Sequence, residues 1–268
     1  GFGKGFAESL IRTTSNPFIG LFIGILATSL VQSSSTTTSI VVGMVGSEVM
    51  TVGNAIPIMM GANIGTTVTN TLVSLGHVSR REEFRRAIAG ATVHDFFNLI
   101  CVLILFPLNL MTGVLEHLAE LMGQLFADVG GVKFASPIKV ATAPTIHAIE
   151  HVLLEWLHLP DRVAYIAMMV VSFAILFLAL VYLVKTMRSL VIARVETVLD
   201  RVLSSNALLA IVAGTVLTTI VQSSSITTSL LVPMVAAGIL SLEAAFPIVI
   251  GANIGTTGTA ILDRKSVV

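Results

Sequence analysis

Apolar residues run along this chain in blocks too long for ordinary soluble helices, and polar clusters interrupt them at matching places. Residues 163–184 give 22 positions without a charge, enough to cross ~30 Å of hydrocarbon as a helix. Residues 87–110 predict a second transmembrane helix, with His94, Asp95 and Asn98 inside it. Two further stretches, 16–47 and 202–242, hold 32 and 41 uncharged residues, each too long for one straight crossing. Each carries Gln-Ser-Ser-Ser near its middle. The apolar run before that cluster spans roughly 22 Å at 1.5 Å per residue, so it reaches the bilayer midplane and stops. The pattern predicts re-entrant helical hairpins over 16–47 and 206–237 with polar tips. Segments 49–77 and 244–262 are predicted as transmembrane helices broken at Gly-Ala-Asn-Ile-Gly-Thr-Thr.

These interruptions occur twice. Sliding residues 16–70 onto 206–260, an offset of 190, gives 25 identities in 55 without a gap. Basic residues orient the copies. Arg80, Arg81, Arg85 and Arg86 precede the span at 87–110, while Lys185 and Arg188 follow the one at 163–184. Both clusters belong in the cytoplasm by the positive-inside rule. The first hairpin then opens outward and the second inward. The expected fold is an all-α integral membrane protein of two inverted repeats, each with a re-entrant hairpin and a broken transmembrane helix. Such repeats place the binding site at the interruptions.

The expected division is residues 1–110 as the first repeat, 111–162 as a connecting interfacial region and 163–268 as the second repeat. Within the connection, Leu115, Leu118, Leu121, Met122 and Leu125 recur at helical spacing beside Glu116 and Glu120, an amphipathic interfacial helix. Residues 137–158 look similar. Residues 189–203, and by the offset 1–13, read as amphipathic approaches to the hairpins. The symmetry also calls for a span before residue 1 and another after residue 268, so the chain is expected to be truncated at both ends.

Composition agrees. Apolar residues make up 54% of the chain and charged residues 11%, against about 25% charged in a soluble domain. Mean hydropathy is +0.94. Fifteen basic residues balance fifteen acidic ones, which argues against nucleic acid as a partner and leaves the lipid bilayer as the surroundings. The single Cys101 excludes an internal disulfide.

Eight residues at the tips, Gln32, Ser33, Ser34, Ser35, Gln222, Ser223, Ser224 and Ser225, need a reason to sit in hydrocarbon, where an unpaired polar group costs a few kcal/mol. At a hairpin tip the serines fall at the N-terminus of the returning helix, where free N–H groups and the helix dipole favour an anion. Two such tips suit a small tetrahedral oxyanion. Neither charge-free stretch contains lysine or arginine, so a buried anion needs a cation for company. Asn63, Thr66, Thr67, Asn253, Thr256 and Thr257, with carbonyls freed at the breaks, offer hard oxygen ligands for Na⁺. Asp95 either binds a cation or holds the core through His94, Asn98 or a neighbouring helix.

The paired Gln-Ser-Ser-Ser, the paired Gly-Ala-Asn-Ile-Gly-Thr-Thr and the run from Phe84-Arg85-Arg86-Ala87 to His94-Asp95-Phe96-Phe97-Asn98 resemble the type II sodium–phosphate cotransporters. The likeness covers roughly 16–110 and 206–262. It implies inorganic phosphate as substrate, Na⁺ as coupling ion without other cofactors, and an elevator-like movement of the hairpin core. It also implies that the Gln-Ser-Ser-Ser motifs frame the substrate and Na⁺ sites. The short connection between halves points to a bacterial-type member in the inner membrane, crossing several times, and a homo-oligomer is left open. Some members carry Asp where this chain has Arg80, which bears on stoichiometry.

Other readings compete. The anion could be sulfate or a dicarboxylate, or the module could sense phosphate or anchor a partner without carrying anything. Serine runs also serve as packing glue between membrane helices, but not so readily in two copies at identical spacing. His147-Ala148-Ile149-Glu150-His151 fits a zinc-peptidase pattern; with no third ligand placed by any motif, it reads as the polar face of an amphipathic helix. No nucleophile–base set suggests an enzyme.

Overall fold

The computed structural model describes residues 15–125, 137–152 and 206–263, with scattered positions between 163 and 182. The expected approaches at 1–13 and 189–203, and most of the span at 163–184, lie outside the described residues. Among those described, the regular elements are all helices.

Helix α1 (Pro17–Val31) starts where Asn16 accepts the Phe18 N–H at 3.0 Å, with Pro17 supplying a first position that has no N–H to satisfy. It ends at Gln32, whose φ of 57° is left-handed. Ser33 then caps α2 (Ser34–Gly46) by accepting the Thr36 N–H at 3.2 Å. The second copy repeats this. Asn206 caps α8 (Ala207–Val221), Gln222 takes φ 56°, and Ser223 caps α9 (Ser224–Ala236). A left-handed glutamine followed by a capping serine turns the chain within two residues, so α1–α2 and α8–α9 are each a helix–turn–helix pair with the serines at the turn.

Between the two helix pairs come α3 (Val52–Gly65), α4 (Thr67–Leu75), the long α5 (Arg81–Thr112), α6 (Val114–Leu125) and α7 (Pro137–His151); α10 (Leu242–Asp263) closes the described chain. Helix α1 packs on α3 and α8 on α10, and these crossings are unusually close. A Cβ built on Gly24 would lie 2.0 Å from the Ile58 carbonyl oxygen, and one on Gly61 2.0 Å from that of Leu21. In the second copy, Gly214 meets Ile248 at 2.2 Å and Gly251 meets Ile211 at 2.1 Å. Only glycine lets backbones touch backbones here.

This geometry corrects one expectation. The first Gly-Ala-Asn-Ile-Gly-Thr-Thr does interrupt a helix, but only at Thr66, whose φ of −63° and ψ of −23° stay near helical values. The second does not interrupt anything: α10 runs unbroken through Gly251–Thr257. The physical reason is twofold. The four-residue glycine spacing is used for helix contact, and the Thr66 and Thr256 hydroxyls donate back to the Ala62 and Ala252 carbonyls at 3.2 and 3.0 Å. Wholesale unwinding with freed carbonyls is therefore absent in the described second copy.

Helix α5 is the one described helix long and apolar enough to cross a membrane. It buries Ala87, Gly90, Ala91, His94, Asn98, Val102 and Phe106 along one stripe, packing on α4, α9 and α10. Phe96 and Leu103 on its other side are more than 60% exposed, as are Phe18 and Phe22 on α1. Meanwhile Thr28, Ser34, Asn70, His94, Thr218, Ser224 and Thr227 are almost fully buried. Apolar outside and polar inside is the distribution that a lipid solvent selects. Helix α6, preceded by Gly113 at φ 63°, matches the predicted amphipathic segment.

Candidate functional site

The two tips meet. Ser34 at the head of α2 and Ser224 at the head of α9 bring their hydroxyl oxygens within 3.2 Å of each other, both side chains buried. Beside this contact the Ser35 hydroxyl donates to the Gln222 carbonyl at 3.2 Å. As first residues of their helices, Ser34, Ser35, Ser224 and Ser225 have backbone N–H groups with no acceptor inside the helix. Ser33 and Ser223 are committed as caps, the latter accepting the Ile226 N–H at 3.3 Å. Gln32 is held in place rather than free: its amide N–H donates to the Ser29 carbonyl and its oxygen accepts from Thr69 at 2.8 Å. Each hairpin is also buttoned internally by a buried hydroxyl pair, Thr28 to Thr37 at 3.0 Å and Thr218 to Thr227 at 2.9 Å.

A second polar cluster joins the two glycine-rich segments through α5. Asn98 donates to the Asn63 carbonyl at 3.0 Å, Asn253 donates to the Asn98 side-chain oxygen at 2.7 Å, and His94 Nε2 lies 3.2 Å from Asn253 Oδ1. Asp95 sits beside it, one carboxylate oxygen buried and unpartnered, 3.8 Å from His94 Nδ1.

The six residues expected to ligate Na⁺ are therefore in four situations. Thr66 and Thr256 turn their hydroxyls onto their own helices, as does Thr257 towards the Ile254 carbonyl. Asn253 is engaged with α5, whereas the Asn63 side chain is exposed beside an apolar cavity of about 810 Å³ that Thr257 also lines. Thr67 alone presents a buried hydroxyl oxygen without a partner. Among the described residues no three His, Cys, Asp or Glu side chains gather as a metal centre. His147 has only Glu150, 3.7 Å away, in an exposed pair on α7.

Sequence reasoning missed Thr69 and Asn70. Asn70 on α4 is 1% exposed and accepts from Thr228 at 2.9 Å and Ser229 at 3.3 Å across to α9. A signal was available: Asn63, Thr66, Thr67 and Asn70 fall at helical spacing on one face, and such a polar stripe in an apolar segment points inward.

Comparison with known proteins gives the family. No solved structure matches the chain. It is 35% identical over 344 aligned residues to the Homo sapiens sodium-dependent phosphate transport protein 2B, covering 97% of this chain and 49% of that protein. To the Rattus norvegicus protein 2A it is 36% identical over 313 residues, covering 92% and 49%. The chain thus spans about half the length of the curated relatives it matches. The family described as Na⁺/Pi-cotransporter matches residues 1–185 and 175–266, and with both serine tips and both glycine segments inside those ranges, this chain belongs to that family.

Proposed function

We propose that this chain forms the substrate-holding core of a secondary symporter that couples Na⁺ entry to uptake of inorganic phosphate. The observation that carries the reading is the buried meeting of Ser34 and Ser224, 3.2 Å apart at the heads of two helices from the two copies. Each head offers unpaired backbone N–H groups, hydroxyls and the positive end of a helix dipole. A tetrahedral oxyanion entering there replaces one serine–serine hydrogen bond with donors from both sides. Phosphate is favoured as that oxyanion because the relatives of this chain are named sodium-dependent phosphate transport proteins.

The surrounding segments 16–47 and 202–242 contain no lysine or arginine. An anion among neutral donors leaves a charge in low dielectric, and Na⁺ supplies the compensation. Cation ligands are drawn from the Asn63–Thr67 and Asn253–Thr257 segments, the unpartnered Thr67 hydroxyl oxygen being the readiest of them. Anion and cation lower each other's cost of burial, and that mutual dependence is the coupling. The two copies act as inverted repeats in a bacterial inner membrane, and the hairpin core moves against a scaffold to expose the tips to each side.

Radiolabelled phosphate uptake into proteoliposomes tests this. An inward Na⁺ gradient should drive accumulation that an equal K⁺ gradient does not. Uptake competed away by sulfate or dicarboxylate would change the anion, and binding without flux would make the protein a sensor.

A further inference from the structure

One buried amide at the tips is left with half its hydrogen-bonding capacity unused. Asn70 is 1% exposed, and its side-chain NH₂ has no partner among the described residues. Two N–H groups held dry in this way cost a few kcal/mol unless something accepts from them. Its oxygen takes the hydroxyls of Thr228 and Ser229, one turn into α9 from Ser224 and Ser225. Helix α4 begins at Thr67, whose hydroxyl is also buried and unpartnered. The two unpartnered side chains are three residues apart, on one face of α4, and α4 packs against α9.

This feature is unpaired. The offset of 190 places Ala260 where Asn70 would recur, although Thr67 and Thr69 do recur as Thr257 and Thr259. A structural amide needed to brace the repeat would be expected in both copies. An amide present once, beside one of two equivalent serine tips, suits a ligand that occupies the junction of the tips in one orientation.

We propose that Asn70 is a substrate-orienting residue, its NH₂ donating to one oxygen of the anion on the α9 side so that the two halves grip phosphate unequally. The idea rests on the transport reading above. An anion is the fitting ligand because the unpartnered Asn70 NH₂ can only donate and the head of α9 carries a positive dipole. Thr228 could instead give its single proton to the Ser224 carbonyl, also 2.9 Å away. The amide would then turn over and present an oxygen, the end that a cation takes. The two orientations predict opposite results.

The test measures phosphate uptake by the purified protein in proteoliposomes for the unmodified chain, Asn70→Ala, Asn70→Ser and Asn70→Asp. Phosphate KM and Na⁺ half-saturation are read separately, the latter at saturating phosphate. The expected result for Asn70→Ala is a rise of about tenfold in phosphate KM, the scale of one hydrogen bond to a charged group, with Na⁺ half-saturation unchanged. Asn70→Ser, which keeps a donor, should fall between. Asn70→Asp should be worse than Ala because a carboxylate repels the anion. Asn70→Asp with tighter Na⁺ dependence and intact phosphate KM would overturn the proposal in favour of a cation ligand. No change in either quantity across all three variants would reduce Asn70 to a spacer. An unmodified protein with no Na⁺-driven phosphate uptake would remove the transport reading and this inference together, whereas an active one with inert variants removes only the inference.

Discussion

Single side chains in this protein divide according to whether their polar atoms are already matched. Thr28, Thr37, Thr218 and Thr227 satisfy one another in buried pairs. Thr28→Val should therefore destabilise the hairpin by about 1 kcal/mol, seen as a lower thermal midpoint with phosphate KM unchanged in the protein that folds. Ser34 and Ser224 are matched only to each other across the tips. Either serine changed to alanine should raise phosphate KM by a similar factor while leaving stability nearly intact. His77, in the turn between α4 and α5, is a third kind. Burial holds its pKa below the ordinary histidine value, partly opposed by Glu83, whose carboxylate lies 3.5 Å from Nδ1 and also pairs with Arg80 at 3.1 Å. Because the folded pKa is depressed, the unfolded chain binds the proton more readily. The stability at stake is present above the unfolded pKa of about 6.5 and is lost as pH falls below it. Thermal midpoints measured from pH 7.5 to 5 should decline, and His77→Gln should flatten that part of the decline. Equal slopes for the two proteins would place the acid sensitivity elsewhere.

Elements show which parts of the fold the sequence declares and which it disguises. The chain reversals at Gln32 and Gln222 were legible because a polar cluster in the middle of a long charge-free run marks where one helix stops and the next is capped. The amphipathic α6 was legible from periodicity alone. The glycine segments were misread as breaks, since Gly-Ala-Asn-Ile-Gly carries two messages in the same letters: weak helix propensity, and small residues four apart. Contact with α1 and α8 decides for the second, and only tertiary structure reveals that contact. A substitution separates the two roles. Gly61→Ala or Gly251→Ala forces a methyl group to within 2.0 or 2.1 Å of a backbone oxygen on the neighbouring helix, so the crossing must open and little folded protein should be recovered. Were these glycines helix breakers, alanine would stabilise by ~1 kcal/mol. Gly46→Ala, where nothing lies within 4 Å, is the control and should be neutral or mildly stabilising. Fluorescence-detected size exclusion of the three variants reads the difference.

At the scale of the molecule, the decisive number is that Ser34 and Ser224 are separated by 190 residues, the same offset that superimposes the two copies. That contact puts the proposed site at the junction of the two copies, and under the proposed inverted-repeat reading equivalent residues touch only near the axis that relates them. The sequence revealed the duplication and the polar character of each tip. It did not reveal that the tips meet, because a repeat offset carries no distance, nor that Asn70 breaks the symmetry from a helix outside the hairpins. A site at the junction of the tips has a mechanical consequence. On the proposed reading, an anion held by both tips enters or leaves only when the Ser34–Ser224 contact opens, a local step in addition to any movement of the hairpin core against a scaffold. Cysteines at both positions, in a chain with Cys101 replaced by serine, should cross-link readily given hydroxyls already 3.2 Å apart. The oxidised form should then carry no phosphate, and reductant should restore the uptake shown by the same protein before oxidation. Full transport by the cross-linked protein would mean that the tips travel as one body, and that phosphate passes beside them rather than between them.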